Sequence, residues 1–351
     1  MVPIKSLIFK KIPTGVPVPG EHLAVETRDT DLETPPPGGL IVEVLYASFD
    51  PYLRGRMRDP GVKSYVPAFE LGQPMTNGTV SRVVKSGSPD FAEGDLVTAS
   101  TAIAEYARIE RAVAPAVNKI RNPHRLPLGL FLGPLGMPGL TAWSGLHRIG
   151  RPQKGETIFG LTVIGSVGAD DKLDFITKEL GFDAGFNYHK EKPLDALRRL
   201  APQGVDIYFE NVGGDHLEAA LEVMNEGGRI AACGMISEYS IPQSKRKGIQ
   251  NLMNIVAKQI TMQGFINLMN IVAKQITMQG FIVNNPGFGP AHAKEPQEKL
   301  QEWLGDGSVK AKLHITDGID NGPEAFVGML QGENFGKAVL RVKGESAGSN
   351  N

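Results

Sequence analysis

The chain has 351 residues, and at about 150 residues per domain that is enough for two hydrophobic cores, neither of which needs to be contiguous in sequence. Lysine and arginine number 37 and aspartate and glutamate 38, a net charge of −1, so no global field attracts nucleic acid or an anionic membrane. Hydrophobic residues are 41% and charged residues 21%, ordinary for a folded protein, and the single cysteine, Cys233, excludes an intrachain disulfide and any zinc site needing two thiolates from this chain. A reducing, cytoplasmic setting is expected. The run Leu7 to Phe9 stops at Lys10 and Lys11, far short of a signal h-region, and no stretch approaches about 18 uninterrupted apolar residues.

In chain order, residues 1 to about 122 are β-rich. LIVEVLYASF (Leu40 to Phe49), GTVSRVVKSG (Gly78 to Gly87) and DLVTAST (Asp95 to Thr101) are short apolar or alternating runs bounded by PPPGG, SGSPD and AEGD turns, which predicts a small barrel or sandwich. From Leu126 a helical stretch, GPLGMPGLTAWSGLHRIG, leads into alternation: strand ETIF, strand LTVIGS, helix DKLDFITKELG, strand GFNY, helix PLDALRRLA, strand VDIYFENV, helix GDHLEAALEVM, strand GGRIAACG. Strands alternating with helices indicate a parallel sheet with crossovers. From about Lys310 the chain returns to strand-like KLHITDGI and GKAVLRV around a helical PEAFVGML, and the tail ESAGSNN is expected to be disordered.

Two anomalies interrupt this plan. NLMNIVAKQITMQGFI at Asn251 to Ile266 recurs unchanged at Asn267 to Ile282, and a solenoid needs at least three copies, so one copy is surplus to the fold. In addition, ETIF (Glu156 to Phe159) passes through Gly160 alone into LTVIGS, whereas neighbouring parallel strands need a crossover of about 10 to 12 residues. Either Glu156 to Ser166 is one strand, or a helix and its loop are missing.

A dinucleotide-binding sheet carries Gly-x-Gly-x-x-Gly after its first strand, where the glycines admit the pyrophosphate to a helix N-terminus. No such loop stands there. The nearest stretch, Gly165 to Gly168, opens a helix whose first turn holds Asp170 and Asp171, which suit the helix dipole and repel phosphate. The seven histidines form no metal-binding pattern, no Gly-x-Ser-x-Gly elbow is present, and the basic run SKRKGIQ (Ser244 to Gln250) reads as a solvated loop.

Nine segments in order, SFDPYLRGRM (Ser48 to Met57), LGQPMTNGTVSRVVKS, GMPGLTAWSGL (Gly136 to Leu146), VIGSVGADDKL, LGFDAGFNY, FENVGG, CGMISEY (Cys233 to Tyr239), MQGFIV and NFGKAVLRV, together resemble the zinc-independent medium-chain dehydrogenase/reductase family. The nearest branch is that of the NADPH-dependent alkenal and enone double-bond reductases, and the likeness runs from about Ile4 to Val342. It implies an α/β protein of two domains: a GroES-like β-rich catalytic domain (1–122 with 310–342) and a Rossmann-type doubly wound parallel sheet (123–309) lacking its first βα loop and helix, followed by a tail (343–351). Family members place that loop and helix, roughly 20 residues, between the equivalents of Phe159 and Leu161.

The resemblance further implies NADPH as cofactor, a small unsaturated carbonyl compound as substrate, and a homodimer. Lys172 falls where the family binds the 2′-phosphate, and a lysine supplies a point charge for phosphate. Tyr188 and Asn211 match cofactor-contacting positions, as does the loop Cys233, Gly234, Met235, Ile236, Ser237, Glu238 and Tyr239. Phe281, Ile282 and Val283 match the segment beside the nicotinamide; Phe265 and Ile266 repeat the dipeptide, but only the second copy is followed by Val283. Asn334 matches a further cofactor contact. Tyr239 is the implied catalytic donor to the substrate oxygen, Tyr52 lines the substrate cleft, Asp50 and Arg54 brace its loop, and Trp143 packs at the cleft wall. Two other readings stay open: a non-catalytic relative that no longer binds cofactor, and a quinone oxidoreductase or alcohol dehydrogenase of specialised metabolism.

Overall fold

A computed structural model describes residues 1–111, 116–159, 162–242, 245, 261–262, 277–285 and 287–343. The chain forms two compact bodies, Met1–Gly136 with Ala311–Asn351, and Met137–Lys310. The expected tail disorder, most of SKRKGIQ and most of the duplicated segment lie outside the described residues.

The first body begins with β1 (Val2–Phe9), β2 (Leu23–Thr30), β3 (Leu40–Ser48), a single turn α1 (Leu53–Arg56), β4 (Thr76–Ser86), β5 (Leu96–Ala102), β6 (Tyr106–Ile109) and β7 (Asn118–Lys119). The second body contains α2 (Met137–Gly145), β8 (Ile158–Phe159), β9 (Ile164–Val167), α3 (Asp170–Asp174), β10 (Ala184–Asn187), α4 (Pro193–Leu200), β11 (Val205–Glu210), α5 (Gly214–Val223), β12 (Met224–Ala232), α6 (Ile236–Tyr239), β13 (Thr261–Met262), β14 (Thr277–Gly280) and α7 (Lys294–Gly305). The chain then returns to the first body with β15 (Leu313–Asp317), α8 (Gly322–Leu330) and β16 (Lys337–Arg341).

In the first body, β15, β16, β3, β4, β5 and β7 lie side by side, and β6 also pairs with β3. β3 reads as an almost continuous apolar run because it is flanked by β4, β6 and β16 and is buried along nearly its whole length. Leu40, Val42 and Val44 join Phe49, Phe326 and Leu340 in one core. β1 and β2 form a separate antiparallel pair, tied back through bridges from Ser6 to Ala104 and Ile8 to Pro74.

The second body holds a five-stranded sheet in the order β13, β14, β12, β11, β8, with β8, β11, β12 and β14 parallel. β9 and β10 form a separate parallel pair. β8 and β9 are distinct strands in different ladders, so Glu156 to Ser166 is not one strand. Only residues 160–163 connect them, which is too short for a crossover between parallel neighbours. Around the five-stranded sheet, Tyr208 and Ile230 meet Leu217 and Ala220 of α5 and Leu197 of α4.

The duplication also has a structural outcome. Thr277 and Met278, from the second copy, lie in β14 and extend the sheet beside β12, while Thr261 and Met262, the same dipeptide of the first copy, add an antiparallel edge in which Met262 faces Met278.

Candidate cofactor and active site

In open α/β sheets, ligands bind outside the carboxyl ends of the strands. β11, β12 and β14 all end at that edge, and the three segments after them contain most of the residues singled out in the sequence. Two of these segments are joined by backbone hydrogen bonds. Glu210 O accepts the N–H groups of Cys233 (2.9 Å) and Gly234 (3.1 Å), Asn211 O accepts from Ile236 (2.9 Å), and Val212 O accepts from Ser237 N (3.0 Å) and Ser237 Oγ (2.5 Å). The Asn211 turn and the Cys233 to Tyr239 loop are therefore a single unit. Gly213 enters α5 at φ +77°, a left-handed conformation that favours glycine, and a Cβ there would lie 3.0 Å from Met235.

Within this unit Asn211 and Ser237 are exposed, Gly234 and Met235 are buried, and Cys233, Ile236, Glu238 and Tyr239 are half-buried. The Tyr239 ring packs against the core of the second body, and its Oη accepts the Met235 N–H at 3.2 Å. Tyr239 also approaches Gly234 so closely that a Cβ on Gly234 would lie 2.8 Å from Oη. Burial, reinforced by the nearby Glu210 carboxyl, pushes the Cys233 thiol up to about 12, which removes it as a nucleophile. Phe281 and Val283 are buried and Ile282 is half-buried; Phe281 stacks on Phe288 with ring centroids 4.9 Å apart. That segment is anchored by its apolar side chains, and the Ile282 and Val283 carbonyls accept from Asn285 N (3.1 Å) and Gly289 N (3.0 Å).

A second cluster lies at the carboxyl ends of β9 and β10. Lys172 is in the first turn of α3, and Tyr188, 40% exposed, comes directly after β10 with its N–H on Val167 O at 3.0 Å. The Tyr188 Oη rests on Gly168, where a Cβ would approach to 2.6 Å. Asp170 accepts from Asn187 Nδ2 at 2.8 Å and pairs with Lys190; the Lys190 ammonium holds its carboxyl below the usual carboxylate range. Ser166 Oγ and His216 Nε2 lie 2.7 Å apart, and burial holds His216 below its ordinary value, so the pair is a neutral tie between β9 and α5.

In the first body, Tyr52 belongs to a buried polar chain. Its hydroxyl donates to Asn77 Oδ1 at 2.5 Å; Asn77 Nδ2 donates to Ser48 O (2.7 Å) and Asp50 Oδ2 (2.9 Å); Ser48 Oγ donates to Asp50 Oδ2 (2.5 Å), and Lys337 Nζ to Asp50 Oδ1 (2.9 Å). Burial raises the Tyr52 phenol well above its ordinary value, so it keeps its proton. Buried Arg54 donates to Pro13 O and Gly15 O, which braces the segment around α1. Asn334 also lies in this body, with Nδ2 on Gly336 O at 2.6 Å. Trp143 lies in the second body, stacked on His147 at 4.2 Å.

Groups that a dinucleotide could use stand at two places: Lys172 and Tyr188 at the carboxyl ends of β9 and β10, where Asp170 and Asp171 share the first turn of α3, and the glycine-lined edge beside Tyr239. Among the described residues, no group of three His, Cys, Asp or Glu could hold a metal ion, and no helix is long and apolar enough to cross a membrane.

Two family models match the chain, one described as the N-terminal domain of oxidoreductase over residues 5–117 and one as zinc-binding dehydrogenase over residues 156–295. The NADP-dependent oxidoreductase RED1 of Cochliobolus heterostrophus is 44% identical over 358 positions, covering 96% of this chain and 97% of the relative. The chain belongs to the zinc-independent medium-chain dehydrogenase/reductase family. Another relative is a 2-alkenal reductase (NADP(+)-dependent) of Nicotiana tabacum, 36% identical over 364 positions, which cover 97% of this chain and 98% of that protein. Among solved structures, CurA from Vibrio vulnificus in complex with NADPH matches with a TM-score of 0.81 at 31% identity, covering 97% of this chain and 100% of that one. Both sequence alignments are longer than the 351 residues of this medium-chain oxidoreductase, so each relative has residues for which this chain has no counterpart.

Sequence reasoning did not single out Glu210, Asn77 or Lys337. Glu210 had a signal in FENVGG, a carboxylate closing an apolar strand. Lys337 had none, because it meets Asp50 across 287 residues of sequence.

Proposed function

We propose that this chain is an NADPH-dependent reductase of the carbon–carbon double bond in α,β-unsaturated carbonyl compounds. The reading is carried by the convergence of Asn211, the Cys233 to Tyr239 loop and Phe281 to Val283 at one sheet edge, with Tyr239 among them. The alkenal reductase among its relatives and the NADPH complex of CurA support the same class.

Bound NADPH supplies the hydride that the substrate β-carbon receives. As that bond forms, the π electrons move to the carbonyl oxygen, and the residue facing this charge has to donate a hydrogen bond. Tyr239 has that role. A phenol keeps its proton at neutral pH; Tyr239 Oη accepts from Met235 N and is the O–H donor proposed for the enolate oxygen, and a proton taken up from solvent at the α-carbon completes the reduction. Lys172 gives its charge to the 2′-phosphate, Tyr188, Asn211 and Asn334 contact the cofactor, and Tyr52 shapes the substrate end. The working unit is proposed to be a homodimer in the cytoplasm, which size-exclusion chromatography with light scattering and fractionation of the source cells would check.

One observation favours a second reading, a relative that no longer binds cofactor: the four-residue connection between β8 and β9 leaves no room for the phosphate loop. Fluorescence titration with NADPH, using NADH as control, separates the two readings. Saturable micromolar binding that weakens with NADH or Lys172→Ala supports the reductase, and Tyr239→Phe then lowers kcat by about 10²-fold or more. A folded chain that binds neither nucleotide is the non-catalytic relative.

A further inference from the structure

Glu210 is the last residue of β11 and is fully buried. Its carboxyl is used unevenly. Oε1 accepts the N–H of Val212, the N–H of Gly213 at 2.9 Å and the hydroxyl of Tyr208 at 3.1 Å, while Oε2 is buried with no hydrogen-bond partner among the described residues. A carboxyl that leaves one oxygen desolvated and unpaired costs stability, so its place in the fold calls for a reason other than packing. The two amides it holds supply one. Val212 and Gly213 form the turn that presents Asn211, and the carbonyls of Asn211 and Val212 hold Ile236 and Ser237 in the facing loop. Without an acceptor inside the turn, both N–H groups would have to seek other partners. The carbonyls that set the register of the Tyr239 loop would then turn with them.

We propose that Glu210 is a positioning residue that holds the Asn211 turn and the Tyr239 loop in the shape that receives the dinucleotide, acting through the reach of one oxygen rather than through its charge. The inference rests on the reading of this edge as the cofactor site. Glu210 touches the two backbone amides and Tyr208, so it is not assigned a catalytic role.

Two conservative variants separate reach from charge. Glu210→Gln keeps an accepting oxygen at the same distance and removes the charge; Glu210→Asp keeps the charge and withdraws the oxygen by one methylene. Amide hydrogen exchange in the absence of nucleotide is the first readout, and NADPH dissociation constants with kcat and KM form the second. The expected result is that Glu210→Asp speeds exchange at Val212, Gly213, Ile236 and Ser237 and weakens NADPH by about tenfold or more, the equivalent of roughly one hydrogen bond. At saturating NADPH its kcat stays within a few-fold of the parent, and Glu210→Gln exchanges no faster than the parent at the four amides and binds NADPH as the parent does. Tyr208→Phe, which removes the third donor without touching the turn, leaves both unchanged. Parent-like exchange in Glu210→Asp, or losses in Glu210→Gln equal to those in Glu210→Asp, would overturn the proposal. If the parent binds no nucleotide, the cofactor reading fails, and the exchange pattern still tests the hold on the turn.

Discussion

Replacing Glu210 by glutamine changes how the stability of the second body depends on pH. Burial is the main force on this carboxyl and pushes it up to about 7 from 4.5, against the two turn N–H groups, which pull the other way. Between those values the folded chain holds a proton that the unfolded chain has released. The protonated group is therefore tolerated at full stability below about pH 4.5, and stability is lost as pH rises through about 7. The interval of about 2.5 units, at about 1.4 kcal/mol each, makes the full loss about 3 kcal/mol. Glutamine has nearly the shape of the protonated acid and does not ionise. The difference in stability, variant minus parent, should be small at pH 5 and grow by up to about 3 kcal/mol in favour of the variant by pH 8. Exchange of the β11 and β12 amides under conditions limited by global opening measures this difference within the second body, and titrations common to both proteins cancel. A difference that stays flat from pH 5 to 8, or a variant that loses ground as pH rises, would refute the reasoning.

Three other substitutions or reactions have expected outcomes set by local geometry. Lys337→Met removes the ammonium from Asp50, whose side chain is only 7% exposed, and leaves a buried carboxylate without its counter-charge; urea unfolding of the first body should show a loss of about 3 to 5 kcal/mol, and a loss under about 1 kcal/mol would contradict it. Cys233, with its thiol at about 12, should react with iodoacetamide at pH 8 at least about 100-fold more slowly than an exposed cysteine, and mass spectrometry of the native and urea-unfolded chain checks this. Gly234→Ala places a methyl 2.8 Å from the position of Tyr239 Oη, so steady-state kinetics should show kcat falling by about tenfold or more through displacement of the donor, with little loss if the hydroxyl has no role.

Much of the fold is legible in the sequence because its patterns are local. LIVEVLYAS is nearly all apolar since β3 is buried along nearly its whole length, and PLDALRRL starts with a proline at its first helical position and keeps Ala196 and Leu197 on the covered side. Other elements are hidden. β1 carries Pro3, Lys5 and Ser6 among its apolar residues, which blurs the alternation, although Leu7, Ile8 and Phe9 are fully buried. The site divides in the same way. Asn211, Tyr188 and the Cys233 to Tyr239 loop lie in motifs that survive as contiguous strings. The chain from Lys337 through Asp50 and Asn77 to Tyr52 is assembled from three distant segments, and no local pattern records it.

The pairing of β13 with β14 bears on how this sheet finds its register. The strip beside β12 can be filled by either of two identical 16-residue stretches, and the chain must choose between copies that offer the same side chains. Loop closure gives little guidance: the first copy is nearer to the end of β12, yet the entropic advantage of its shorter loop is only about 0.4 kcal/mol. The choice therefore falls to the residues on the C-terminal side of each copy. Only the second leads into Val283 and Phe288, which pack with Phe281 and Ile149 into a core of their own. The identical neighbour left over adds one more row to the sheet. Excision of Asn251 to Ile266 should remove that outer row and the competing alignment together, leaving β14 and its apolar anchor in place.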